Sequence, residues 1–450
     1  MTQNPGPSLE QFGYRQELKR ALTTTDLVVY GLVFMVPIAP FAIFGFVSND
    51  SHGMVPLAYV LGVIGMLFTA LSYAYMSRAF PMAGSVYSYV GRGLHEVAGF
   101  FAGWLILLDY LLVPSLLYIM NTVALHPLFP AVPAWLWIAG FAAFCGIVNL
   151  VGVQLTARIN RYLLISELIV LVLFIAIGLH ALYGGQGAGA LTLKPIYNPA
   201  AFSISTVAAA ASIAVLSFLG FDGISTLAEE NRDGVNAVGR ATLLALVLAA
   251  LLFVSQTWIA TDLAQGMRFN SPETAFYEIT ERAGGSTLRV ITVIMVVVAD
   301  IANAMVAQAA VSRILFAMAR DGKLPGSLAR VHPVYQTPWI STLVVATLSL
   351  VVGIVFSQHI VDLPRIVNFG ALTGFVLLHL SVIHHFLIRG RSGDWRRHLL
   401  VPLGGLIVIG FVLLEMDNAA KIMGGCWIAI GVVYFAVMSL WLRRPAALEI

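Results

Sequence analysis

Five acidic residues lie within otherwise apolar stretches of this sequence, and they carry most of its potential for chemistry. The five are Asp109, Glu167, Asp222, Asp300 and Glu415. An ionisable side chain at the centre of a membrane helix costs about 2.5–3.5 kcal/mol on insertion scales, so it is a functional candidate by default. Such a carboxylate can bind a cationic group or take up a proton.

Asp222 stands out because two glycines flank it in the stretch SFLGFDG. Gly220 and Gly223 predict a break in a helix. A carboxylate beside Phe218 and Phe221 suits an ammonium group through charge and cation–π attraction. In the alternative interpretation, Asp222 accepts hydrogen bonds from freed backbone amides and only stabilises the break.

Asp300 and Asp109 each have a polar neighbour that extends the candidate site. Asp300 shares a helix face with Asn303 in VVVADIANAMVAQ, because residues three apart lie on one side of a helix. The alternative for Asp300 is an ordinary hydrogen bond between helices. Asp109 precedes Tyr110, whose apolar ring and polar tip suit an aliphatic amine, unless that ring only packs. Glu415 is predicted to lie at the membrane interface.

The elements that must position these acids are membrane-spanning helices. Of the 450 residues, 59% are hydrophobic and 10% are charged, against about 25% charged in a soluble domain. A helix needs about 20 consecutive apolar residues to cross a bilayer core. Twelve stretches meet this requirement, at 27–48, 56–77, 98–125, 134–152, 162–183, 205–228, 238–260, 287–318, 339–357, 364–388, 399–415 and 421–442. The sequence therefore predicts an all-α polytopic membrane protein.

The basic residues predict the orientation of these spans. With the N-terminus in the cytoplasm, 19 of the 25 Lys and Arg residues fall on the cytoplasmic side and 6 on the other, as the positive-inside rule requires. Both termini are then cytoplasmic, and the net charge of +3 reflects topology and not a nucleic-acid partner. Glu229 and Glu230 fall at the cytoplasmic face and are predicted to pair with loop arginines. Cys145 and Cys426 lie in apolar spans, which argues against a disulfide, and no metal or cofactor site is predicted.

Two of the twelve spans are interrupted, at matching places in two halves of the chain. The first contains Pro37 and Pro40, and the sixth contains Gly220 and Gly223, about 180 residues or five helices later. Interrupted segments at corresponding positions indicate an inverted-repeat transporter, although ordinary kinks are the alternative. The predicted organisation is a cytoplasmic tail, a transport core with repeats of helices 1–5 and 6–10, and two added helices with a short cytoplasmic C-terminus, at 1–23, 24–388 and 389–450.

Several stretches resemble the amino acid–polyamine–organocation transporters, and most closely their bacterial putrescine-importer branch. They include MVPIAPFAIFG, FTALSYAYMSRAFPMAGSVYSYV, GFFAGWLILLDYLLVP, SFLGFDGISTLAEE, VSRILFAMARDGKLP, VHPVYQTP and NFGALTGFVLLHLSV. Together these cover nearly the whole chain in order. The resemblance implies a leucine-transporter-type fold, with 5+5 inverted repeats and broken helices 1 and 6, and proton-coupled uptake of an amine.

The resemblance also implies a substrate site. Its residues would be Ala39, Phe41 and Ala42 in span 1, Tyr110 in span 3, Ser217, Phe218, Gly220, Phe221 and Asp222 in span 6, and Asp300 in span 8. In one departure, FAIFG places Ala42 where putrescine importers have an acid in FDTFG. A diamine needs an anionic or carbonyl-rich partner at each end, so Asp300 is predicted to replace the missing acid.

Glu167 is the predicted proton-coupling residue. Related proton-coupled amino acid transporters have a lysine at the matching position, near a vacant sodium site. A carboxylate there could take up and release a proton. The alternative is a structural pairing with Arg158 or Arg161.

The sequence thus predicts a secondary transporter that imports an amine solute, either a polyamine such as putrescine or an amino acid, by proton symport. The alternative within transport is an exchanger of an amino acid for its amine. A channel needs a continuous pore, and a membrane enzyme needs a cluster of catalytic or metal-binding residues that the sequence lacks. The expected partners are the solute, protons and the lipid of a bacterial plasma membrane, and the expected state is a monomer or weak homo-oligomer.

Overall fold

The computed structural model describes residues 9–125, 129–272, 274–357, 363–416 and 418–441, and in these ranges the chain is helical with no strand. The first seven α-helices are α1 Thr24–Met35, α2 Pro40–Asp50, α3 Val55–Ala79, α4 Ser85–Gly93, α5 Glu96–Leu125, α6 Ala134–Val151 and α7 Val153–Tyr183. The next seven are α8 Ile204–Ala214, α9 Asn236–Leu263, α10 Ala275–Arg320, α11 Trp339–Val355, α12 Leu363–Val382, α13 Val401–Glu415 and α14 Asn418–Trp441.

Most of these helices can cross a membrane. In the described part of the chain, ten are long and apolar enough, and the bent pair α1–α2 adds an eleventh if it counts as one span. The apolar helix α11 is shorter, at 17 residues. The protein is therefore a multi-pass helical membrane protein, as predicted, while the count of twelve spans and the inverted repeat stay predictions.

The first helix break lies where the prolines predict it. α1 ends at Met35, and Val36 follows with a φ of 54°, since the residue before a proline disfavours the helical conformation. Pro40 then starts α2, a position where its missing N–H is not needed. The two helices meet at an angle of 54°.

The second break lies at the glycines. After α8 the chain forms a 3₁₀ turn at Val215–Phe218 and a second 3₁₀ segment at Phe221–Glu230, with Gly220 between them at a φ of 114°. A Cβ atom on Gly220 would lie 2.8 Å from the Cγ atom of Phe34. On Gly223 it would lie 2.4 Å from Phe34 Cε1. Glycine is therefore needed at both positions so that α1 can pack against the second break.

Buried ion pairs hold one end of the molecule together, and we call this end the inner end, defined by Glu229, Glu230, Arg313 and Arg320. Glu230 pairs with Arg313, and Glu229 pairs with Arg320 at 2.8 Å. Both arginines lie on α10, so the prediction that these acids pair with loop arginines is wrong. The two glutamates are the last residues of the 3₁₀ segment that follows Gly220. Their ion pairs therefore connect the second break to the last turns of α10.

The N-terminal segment 9–22 covers the inner end. The Tyr14 hydroxyl donates to Asp321 at 2.5 Å and accepts from Arg92 at 2.8 Å. Burial and the Asp321 carboxylate raise the pKa of Tyr14 to about 12, so Tyr14 stays protonated and can donate. The N–H of Leu22 donates to the carbonyl oxygen of Glu230 at 3.0 Å. The segment thus closes the inner end over the second break.

Candidate functional site

A cavity of about 240 Å³ lies between the two helix breaks. Five elements line it: α1–α2 with the turn between them, α5, the second break, α10 and α12. The lining residues are Phe34, Met35, Val36, Ala39, Ala42, Ile43, Asp109, Val113, Leu116, Leu117, Met120, Leu216, Ser217, Leu219, Asp300, Asn303 and Val367. Most are apolar, and the charged ones are the two acids Asp109 and Asp300.

Asp109 presents an unsatisfied carboxylate oxygen at this cavity. The side chain is buried, and its Oδ2 atom has no hydrogen-bond partner among the described residues. A buried polar atom without a partner is costly. Asp109 is therefore suited to accept a hydrogen bond from a solute that enters the cavity.

Asp222 lies behind the cavity wall and is not one of its lining residues. It is fully buried, accepts a hydrogen bond from the Tyr110 hydroxyl and lies 3.5 Å from the Tyr73 hydroxyl. The Gly220 N–H donates to its other oxygen at 3.3 Å. Asp222 thus has protein donors on both oxygens in this conformation.

Phe34 contacts both the cavity and the two glycines on either side of Asp222. Its ring lines the cavity, lies 5.3 Å from the Tyr110 ring between centroids, and fills the space over Gly220 and Gly223. The sequence analysis did not identify Phe34, because one phenylalanine in an apolar run carries no local signal of such a contact.

Asp300 and Asn303 both line the cavity from α10. The Oδ1 atom of Asn303 is buried and has no hydrogen-bond partner within the described ranges. The pair therefore adds a second polar position, on a different helix from Asp109. The cavity can offer acceptors to two donor groups of one solute, or to one solute and a water molecule.

Glu167 is fully buried on α7, and neither of its carboxylate oxygens has a hydrogen-bond partner in the part of the chain that the structure describes. Arg161 pairs with Asp26, so the alternative pairing of Glu167 with Arg161 is not observed. α7 packs against α10, which carries Asp300.

The structure places the remaining predicted site residues in two groups. Ala39, Ala42 and Ser217 line the cavity, and the Ser217 hydroxyl lies 3.0 Å from that of Tyr59. Phe41 does not line it, because its ring stacks on that of Phe276 at 3.9 Å.

The two phenylalanines that flank the second break also pack away from the cavity. Phe218 lies 5.1 Å from the ring of Phe253, and Phe221 lies 6.0 Å from the ring of Tyr73. Neither is among the residues that line the cavity, and their cation–π contact with a solute stays a prediction.

Comparison with known proteins identifies the family of this fold and site. The family described as "Amino acid permease" matches residues 22–442. The chain belongs to this family. The predicted membership of the amino acid–polyamine–organocation superfamily is thereby confirmed, and the protein belongs to a family of transporters and not of enzymes.

Named relatives of this permease-family chain carry different solutes. The low-affinity putrescine importer PlaP of Escherichia coli K12 is 31% identical over 438 residues, which cover 96% of each chain. The branched-chain amino acid permease BcaP of Bacillus subtilis is 26% identical over 454 residues and 94% of each chain. A methylthioribose transporter of the same organism is 25% identical over 458 residues, covering 93% of this chain and 94% of its own. The shared activity of these relatives is transport of a small solute.

Proposed function

We propose that this chain is a secondary active transporter that imports an amine solute, a polyamine such as putrescine or an amino acid, by proton symport. The observation that carries the proposal is the cavity between two unwound helix breaks, with Asp109 and Asp300 in its wall. Unwound backbone at membrane depth is tolerated where it is buried in protein or lines a cavity. Such breaks form the solute sites of transporters with inverted repeats.

The proposed solute site has two carboxylates that face the cavity and one behind it. Asp109 and Asp300 bind amino groups in the conformation described here. Asp222 joins the site when Phe34 moves away from Gly220 and Gly223. Tyr110, which now donates to Asp222, is then free to contact the solute. Ala39, Ala42 and Ser217 complete the walls from the two breaks.

Glu167 is the proposed proton carrier. Both carboxylate oxygens lack a hydrogen-bond partner among the described residues, and α7 packs against α10, which carries Asp300 of the cavity wall. The contact between these two helices is the proposed route from solute binding at Asp300 to proton uptake at Glu167.

The proposed fold has twelve spans, with α1–α2 as the first and α11 as the ninth, and both termini in the cytoplasm of a bacterium. The repeats occupy residues 24–388. On α5 the cavity lining extends from Asp109 to Met120, away from the inner end, and the Met120 side chain is 36% exposed. At the inner end, the buried ion pairs close the structure. These features support an outward-open arrangement. Rocking of α1–α2, α3, the second break and α9 against the other helices would then open the inner end.

Uptake into proteoliposomes tests this function. Purified protein should accumulate labelled putrescine, or another amine, above equilibrium when the lumen is alkaline, and a protonophore should abolish the accumulation. Flux that requires amine or amino acid inside the vesicle, whatever the pH gradient, would show the alternative function of an exchanger. Downhill flux that never exceeds equilibrium under either condition would contradict both.

A further inference from the structure

An apolar groove of about 440 Å³ lies where α6, α7 and α10 meet, apart from the solute cavity. Its lining residues are Trp137, Gly140, Phe141, Phe144, Ile159, Leu163, Val298 and Ile301. We propose that this groove binds one acyl chain of a membrane phospholipid, and that the Trp137 indole N–H donates to an ester carbonyl of that lipid. The inference requires only that the three helices cross a membrane, and it depends neither on the solute nor on proton coupling.

The groove is open to the surroundings of the helix bundle. Phe144 is 46% exposed, and Gly140 is exposed as well. Beyond its chain neighbours, a Cβ atom on Gly140 would meet no side chain of the described residues within 4 Å. All three helices are long and apolar enough to span a membrane, where lipid hydrocarbon surrounds them. A lipid chain therefore has access to the groove, and an empty groove would forfeit the contacts that such a chain makes with its lining.

The groove is about as long as one leaflet of the membrane is deep. α6 ends at Val151 and α7 begins at Val153, so these two helices meet at one end of the groove. Trp137 precedes Val151 by 14 positions, and Ile159 follows Val153 by 6. At about 1.5 Å per residue, these two positions lie about 21 Å and about 9 Å from the junction. The groove thus extends about 12 Å along the helices, against about 15 Å for half of a bilayer core.

The far end of the groove has a hydrogen-bond donor that lacks an acceptor. Trp137 lies in the first turn of α6, with its ring centroid 5.8 Å from that of Phe129 and 6.0 Å from that of Phe141. Its Nε1 atom is buried and has no hydrogen-bond partner within the described ranges. A buried indole N–H usually has a partner. Tryptophans are enriched at the membrane interface, at the level of the lipid's polar groups, so an ester carbonyl of a bound lipid can supply the missing acceptor.

The floor of the groove is the back of the cavity wall. On α10, Val298 and Ile301 line the groove, whereas Asp300 and Asn303 line the cavity. With about 3.6 residues per turn, these two pairs lie on opposite sides of the helix. A chain in the groove therefore packs against α10 directly behind the polar residues of the cavity.

Filling the groove tests for the acyl chain. Gly140→Leu places a side chain in the open space over this glycine. Gly425→Leu is the matched control, because Gly425 is also exposed, lies within the apolar helix α14 and has the same open space over it. Binding of dimyristoyl phosphatidylglycerol to the delipidated proteins is measured by native mass spectrometry, and a thermal melt checks that each variant is folded.

Wild type and Gly425→Leu should bind one lipid molecule more tightly than any further ones. Gly140→Leu should bind it about tenfold more weakly or worse, because the new side chain displaces at least two buried methylene groups of the chain. Wild-type affinity in Gly140→Leu, an equal loss in Gly425→Leu, or no such tightly bound lipid in the wild type would each overturn the proposal.

Photo-crosslinking locates the lipid on the wild type without any substitution. A phosphatidylglycerol with a diazirine group in the middle of one chain is bound, excess lipid is washed away with detergent, and the crosslinked peptides are sequenced. Crosslinks to the groove-lining residues of α6 and α7 support the site. Crosslinks that all lie on other helices would overturn it.

A pair of lipids tests the hydrogen bond to Trp137. The ditetradecyl ether analogue of the same phosphatidylglycerol has chains of equal length but no ester carbonyl. Wild type should bind the ester lipid about fivefold more tightly than the ether lipid, as one neutral hydrogen bond provides. Trp137→Phe should bind the two lipids equally. Equal binding of both by the wild type, or a preference for the ester that persists in Trp137→Phe, would overturn the role of Trp137.

Discussion

Replacing Asp222 with asparagine is expected to weaken amine binding more than it weakens folding. Asp222 is fully buried, and the Tyr110 hydroxyl donates to its Oδ2 atom. Asparagine keeps the shape and one carbonyl oxygen, which can still accept from Tyr110. Its amide nitrogen then faces the N–H of Gly220, which donates to Asp222 at 3.3 Å. Losing that one bond lowers the free energy of unfolding by about 1–3 kcal/mol.

The loss of the negative charge has a larger effect on the solute. Removing one partner of a buried, hydrogen-bonded charge pair costs about 2–5 kcal/mol of binding free energy. At about 1.4 kcal/mol for each factor of ten, the dissociation constant for putrescine should rise between about 30-fold and a few thousand-fold. The expected fall in melting temperature is modest, because the fold loses only one long hydrogen bond.

Equilibrium binding of labelled putrescine and a thermal melt, on the same preparation of Asp222→Asn, separate the two effects. Asp50→Asn is a matched control, since Asp50 is an exposed carboxylate at the end of α2. A wild-type dissociation constant in Asp222→Asn would refute the reasoning, because Asp222 would then only stabilise the break. A melting temperature that falls without any loss of affinity would lead to the same conclusion.

Three further substitutions test other parts of the account. Asp300→Asn should reduce the affinity for putrescine more than that for n-butylamine, because only the diamine has a second charge to place, and equal losses of affinity would contradict this role. Glu167→Gln should keep counterflow exchange of amine but lose accumulation driven by a pH gradient, and accumulation with normal pH dependence would show that Glu167 is structural. Arg313→Met leaves Glu230 buried without its ion-pair partner and should lower the free energy of unfolding by about 3–5 kcal/mol. In a denaturant titration, the added change Glu230→Gln should restore much of this loss, and a double variant no more stable than the single one would argue against the pair.

The helix breaks could be predicted from the sequence because their causes are local. Pro37 and Pro40 lack the N–H that a continuous helix needs, and Gly220 adopts a φ of 114° that other residues rarely adopt. The eighth apolar stretch, predicted at 287–318, corresponds to the part of α10 that follows Gly285, where the backbone is non-helical with a φ of 71°. The more polar segment before Gly285 forms a separate helical part of α10.

The arrangement of the site could not be predicted, because it depends on contacts between distant residues. Phe34 lies over Gly220 and Gly223, nearly 190 residues later in the chain. Asp222 is not among the residues that line the cavity, whereas Asp109 and Asp300 are. A sequence can indicate that an acid lies at a break, but the side that the acid faces depends on the helix that packs against it.

Direct detection of proton entry with the amine is the measurement that tests the central claim most closely. Proteoliposomes that contain a pH-sensitive dye, with the membrane potential clamped by valinomycin and potassium, are given putrescine on the outside while labelled putrescine is followed in parallel. Symport predicts that the lumen acidifies as putrescine enters, that empty liposomes show no such change, and that Glu167→Gln admits putrescine only in exchange and without acidification. Entry of putrescine at the same rate with no change in luminal pH would contradict proton symport.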